Sequence, residues 1–200
     1  MPVIFQQFTF LHGDKILSPY SYVLLSERRK QITSVKPGTL EGSQGQLCAI
    51  VNNKPFVGSG TLCCFQGSGE KFVLACAHVA VRHSVLNKGE RYSAESAAYH
   101  LGKVNEHAFL KESVIDTFYI HPGYGSTPHI LDGCDLAFGL LPEDFAFSMI
   151  SDDQYLSYVE KEQPKPRDII RVIGYPGEKN GCLYEWKEQF NKSYEMENTR

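Results

Sequence analysis

Two ionisable residues sit in runs that otherwise carry little charge. His78 follows the apolar run "KFVLACA" (71–77), and Asp135 heads the apolar half of "DGCDLAFGLL" (132–141), 57 residues later. An imidazole gains and loses a proton near neutral pH, so a histidine held rigidly at a strand end can take a proton from a nucleophile and return it. A carboxylate between Cys134 and the pair Leu136–Ala137 is costly to bury unless it is paired. An imidazole N–H is its natural partner, and that bond would fix the histidine's tautomer. Taken singly, His78 could equally be a satisfied core histidine and Asp135 a turn carboxylate.

The elements that would position such a pair are short and β-like. Apolar, β-branched and aromatic segments recur at 46–51, 60–65, 71–77, 96–102, 114–120, 134–141 and 168–175. Turn-forming stretches such as "NNKPFVGS", "QGSGE" and "HPGYGSTPHILDG" separate them. "AHVAVRHSVLN" can open a short helix, but no long helical period appears. The pattern predicts an all-β fold of antiparallel strands in a sandwich or barrel. Residues 1–40 read as an N-terminal extension and 41–156 as a first β-barrel. The charged, proline-bearing stretch 157–168 reads as a linker, and 169–200 as the start of a second unit.

Composition bounds the setting. Two hundred residues with 42% hydrophobic and 22% charged side chains can bury a core. A net charge of −3 with scattered basic residues gives no footprint for nucleic acid, and no apolar stretch has the length of a membrane span. The first residues lack the basic region of a signal peptide, so the six cysteines are expected to be reduced thiols in a cytoplasmic setting. Cys63, Cys64, Cys76, His78 and His83 do not form the Cys-x₂₋₄-Cys knuckles of structural zinc sites, so no metal is expected. His83 needs no role, His121–Pro122 reads as a turn, and Ser59 as a strand or turn residue.

The segments "GSGTLCCF", "KFVLACAHVA", "HPGYG" and "DGCDLAFGLL", in that order, resemble the trypsin-like (chymotrypsin-fold) serine proteases. "VIGYPGEKN" (172–180), followed by Trp186, resembles the start of the second barrel in the V8-like glutamyl-endopeptidase branch. The likeness runs from about Gly42 to about Trp186. It implies a chymotrypsin-like antiparallel β-barrel with an incomplete second barrel, serine endopeptidase chemistry on protein or peptide substrates, and no cofactor. It also implies that His78 is the general base and Asp135 its orienting carboxylate.

Two departures stand out. Val57 and Val79 occupy the places of trypsin's bridging cysteines, as in the V8-like branch. The family's nucleophile lies in Gly-x-Ser-Gly, whereas the serines after Asp135 are Ser148, Ser151, Ser157 and Ser193, none flanked by glycine. The chain is therefore expected to be a truncated, inactive protease portion, or a catalytically dead homologue serving as a binding or regulatory module.

Overall fold

A computed structural model describes residues 29–64, 70–83, 91–124, 134–143, 145, 167, 169–176 and 181–189. Within them the chain is all-β, with one four-residue helical turn. The strands are β1 (Lys30–Gln31), β2 (Gln44–Val51), β3 (Lys54–Cys64), β4 (Lys71–Ala75), β5 (Val81–His83) and β6 (Arg91–Ser93). They continue with β7 (Ala97–Leu101), β8 (Lys111–Ile115), β9 (Phe118–Ile120), β10 (Ala137–Leu140), β11 (Ile169–Gly174) and β12 (Tyr184–Gln189). The turn α1 (Ala77–Ala80) lies between β4 and β5.

Seven strands form one antiparallel sheet in the order β8-β7-β2-β3-β4-β10-β9. It curls into a half-barrel, bringing the Ile115 side chain of β8 against Gly139 of β10. The inner face is apolar: Leu47, Ala49 and Val51 of β2 meet Leu62, Val73, Ala75, Tyr99, Leu101 and Ile115 in one buried cluster. Side chains alternate across a strand, so the neighbours Ile50 and Val57 face outward, each 52% exposed. The buried Tyr99 hydroxyl lies 3.4 Å from the carbonyls of Ser43 and Gly60, and burial holds that phenol well above its ordinary pKa.

The β2–β3 connection is tighter than the sequence suggests. Turn formers at 52–59 predict a long separator, yet only Asn52 and Asn53 turn, with φ of 49° and 58°. Two successive left-handed residues make the two-residue hairpin whose twist matches antiparallel strands, and asparagine tolerates that conformation. Pro55 is accommodated because the first half of β3 pairs with β2 alone, while β4 pairs only from Gly60 onward. The stretch 114–120 also differs from expectation: it breaks at Asp116–Thr117 into β8 and β9, which lie at opposite ends of the sheet order.

A second antiparallel sheet has the order β1-β12-β11. β12, "YEWKEQ", was not foreseen; its alternation of ring and charged residues is real but short. This sheet is tied to the half-barrel by polar contacts. The Tyr175 N–H donates to Ser59 Oγ at 2.8 Å, its hydroxyl donates to the Lys103 carbonyl at 2.8 Å, and Arg171 bridges Glu41 and Glu185.

Gly58 shows how closely the half-barrel approaches α1. A Cβ there would meet Val79 Cγ2 at 2.5 Å, and Val79, buried and β-branched, has little room to rotate away. Gly58→Ala is therefore expected to destabilise by about 1–3 kcal/mol, as overpacking does. In a urea-denaturation double-mutant cycle with Val79→Ala, the two losses should be clearly non-additive, because the second change restores the space.

Candidate active site

The strand β4 ends at Ala75, three residues before His78, and this corrects the expectation that His78 itself terminates the strand. Ala75 is the last residue with partners on both sides, Gly60 on β3 and Ala137 on β10. Beyond it the backbone must satisfy its own polar groups. The Val79 N–H donates to the Cys76 carbonyl at 3.2 Å, and the Val81 N–H closes the turn on the Ala77 carbonyl. Ala77 and Ala80 are almost fully buried, and small side chains let the turn lie directly on the sheet.

The N–H groups of Ala77 and His78 go to the site. Asp135 Oδ1 accepts the His78 backbone N–H at 2.9 Å, and Oδ2 lies 2.6 Å from His78 Nδ1. The two carboxylate oxygens thus hold the backbone and the ring of His78 together. The side chains are 9% and 14% exposed. Burial pushes the Asp135 carboxyl up, but the ring and backbone hydrogen bonds from His78, the His78 charge and the Ala77 N–H outweigh it and hold the carboxyl below its ordinary pKa. An ionised carboxylate can only accept, so the proton in the 2.6 Å contact sits on Nδ1. In the neutral ring that tautomer leaves the lone pair on Nε2, the state a general base requires.

The surroundings keep this pair apolar on one side. Ala77, Ala80, Val81, Tyr124 and Ala137 form a second buried cluster. Tyr124 caps the turn after His121, with its N–H on the His121 carbonyl at 2.9 Å and its hydroxyl donating to the Val81 carbonyl at 3.3 Å. Burial, with the nearby Asp135 charge, pushes the Tyr124 phenol up to about 12, so it stays neutral. The His121 ring accepts the Gly123 N–H at 3.1 Å, and residues 122–124 form the expected turn.

The other sequence candidates fall elsewhere. Ser59 Oγ serves the Tyr175 N–H. Cys63 is buried, with its thiol 3.5 Å from the Thr61 carbonyl. Cys48, Cys63, Cys76, Cys134 and Cys182 are not in disulfides. The side chains of Cys64 and His83, and all of Ser148, Ser151, Ser157 and Ser193, lie outside the described residues. One grouping escaped the sequence reading: single ligand atoms of Cys76, His78 and Asp135 all lie within 4.8 Å of one another.

No protein-family model and no curated protein sequence matches this chain. Solved structures do. The protease Anisep from Arthrobacter nicotinovorans aligns with a TM-score of 0.57 at 15% identity, over 83% of this chain and 69% of that one. A Glu endopeptidase aligns with a TM-score of 0.56 at 16% identity, over 82% and 68%. GrC aligns with a TM-score of 0.54 at 21% identity, over 81% and 65%. The chain therefore has the all-β, chymotrypsin-like fold of serine proteases.

The pairing of Asp135 with His78 sets an acid-sensitivity whose sign is fixed. A carboxyl depressed in the folded state contributes stability above its unfolded value, ordinarily 3.8, and that stability is lost as pH falls through the folded value. His78→Ala removes the ring bond and the ring charge but leaves the burial and the backbone N–H bonds. In a carboxyl-¹³C NMR titration, Asp135 should then titrate higher than in the unaltered chain. An Asp135 titration unchanged by His78→Ala would mean that the pair does not hold the carboxylate.

Proposed function

We propose that the chain carries the base-and-carboxylate half of a serine endopeptidase charge relay, acting on protein or peptide substrates. His78 is the general base through Nε2, and Asp135 holds its tautomer and orientation. The observation that carries the reading is the 2.6 Å contact between His78 Nδ1 and Asp135 Oδ2, where β4 has ended and β10 is about to begin, in a fold shared with solved proteases. In such chemistry Nε2 takes the proton of a serine hydroxyl as oxygen attacks the peptide carbonyl, then gives it to the departing amine. The V8-like branch within that class is supported by "VIGYPGEKN" and by Val57 and Val79 in place of bridging cysteines. The division into a first barrel over 41–156, a linker over 157–168 and a second-barrel start over 169–200 belongs to the same proposal.

These 200 residues hold no Gly-x-Ser-Gly, the segment that would supply both the nucleophile and the backbone N–H groups of an oxyanion hole. The alternative reading is a protease homologue that acts as a binding or regulatory module. Both readings give no turnover by these 200 residues alone, since without the nucleophile and oxyanion hole little of the triad's rate enhancement remains.

A fluorophosphonate probe tests this. No serine of the 200-residue chain should be labelled, and the transcript should be read past codon 200. A continuation bearing Gly-x-Ser-Gly, expressed with this chain and labelled in a His78-dependent way, identifies the peptidase. A stop codon leaves the module. Serine labelling of the 200-residue chain, abolished by His78→Ala, would contradict the account.

A further inference from the structure

We propose that Cys76, His78 and Asp135 form a zinc-binding site. One ligand atom from each lies within 4.8 Å of the others, and His78 Nδ1 lies 2.6 Å from Asp135 Oδ2. With its usual bond lengths of about 2.0–2.3 Å, zinc holds tetrahedral ligand atoms about 3.3–3.7 Å from one another. The cluster needs an adjustment of about 1 Å to meet that spacing, with the ion replacing the proton between ring and carboxylate.

The donor set selects the metal. Calcium and magnesium take oxygen ligands, whereas a thiolate, an imidazole and a carboxylate together suit zinc. Three protein ligands leave one tetrahedral position for water or an incoming group. The backbone fixes the ligands in advance: Cys76 and His78 flank Ala77 at the start of α1, and the His78 N–H holds Asp135 Oδ1. Among the described residues this is the one group of three such side chains with its ligand atoms this close.

Binding moves two protons. The Cys76 thiol proton leaves to solvent, and the ring proton passes from Nδ1 to Nε2 as Nδ1 takes the metal. Nε2 then carries a proton and can donate, where the neutral metal-free tautomer could only accept. The site itself stands apart from the peptidase reading. Its consequence, that zinc switches the proposed base off, rests on that reading.

The test uses metal binding, not activity. The 200-residue chain, stripped by chelator and kept reduced with a phosphine, is titrated with zinc against a chromophoric chelator and separately with cobalt(II). One tightly held zinc per chain and a thiolate-to-cobalt charge-transfer band are expected. Cys76→Ser keeps the buried volume and should abolish the band. It should also weaken zinc by more than the roughly ten- to hundredfold that losing a supporting contact costs. Cys63→Ser and Cys182→Ser should keep both signals. In the unaltered chain, zinc should slow alkylation of Cys76 relative to Cys182, a readout independent of how any variant folds. A wild type without the cobalt band, a band unchanged in Cys76→Ser, or alkylation of Cys76 indifferent to zinc would each overturn the proposal.

Discussion

The structure around the site depends on where one carboxylate can find hydrogen-bond donors. Asp135 enters the sheet beside Ala137, which is fully buried, in a position where an unpaired charge would be expensive. Its two oxygens are met by the backbone and the ring of His78. That demand explains why β4 does not run on through His78. A continued strand would direct the His78 N–H along the ladder, whereas the single turn α1 points both the N–H and the ring at Asp135. The small residues at Ala77 and Ala80 and the missing side chain at Gly58 let this turn settle onto the sheet.

The sheet in turn makes the pairing rigid. β4 and β10, which end at the site, are neighbours in register from Ala75↔Ala137 to Phe72↔Leu140. Val73 and Ala75 of β4 join the main buried cluster and Ala137 of β10 joins the second, so a shift of either strand would disturb packed side chains as well as the site. Tyr175 and the Arg171 ion pairs fasten the second sheet to the same half-barrel through Ser59, Lys103 and Glu41. Ser59 is thus a structural serine, and the missing side chain at Gly174 leaves room for its hydroxyl.

Much of this was legible in the sequence because strands with one buried face write their period into the chain. β2, β4, β7 and β10 were visible as β-branched or aromatic runs, and His78 and Asp135 stood out as polar groups in apolar company. Three features were not legible. The β2–β3 hairpin closes on two asparagines because the strand half bearing Pro55 has one free edge, a fact of sheet order and not of composition. β12 is obscured by its charged residues, of which Glu185 is paired with Arg171 and Lys187 is exposed. The Cys76–His78–Asp135 cluster is not legible because metal-site spacing rules compare residues close in sequence, and Asp135 comes 57 residues after His78, just before β10.

The central claim is that Asp135 fixes the tautomer of His78. The ring nitrogens report this directly by ¹⁵N NMR at about pH 8, above the ordinary histidine range near 6.5. The account predicts a protonated Nδ1, an unprotonated Nε2, and loss of that preference in Asp135→Asn. A His78 ring protonated at Nε2, or one unchanged by Asp135→Asn, would contradict it.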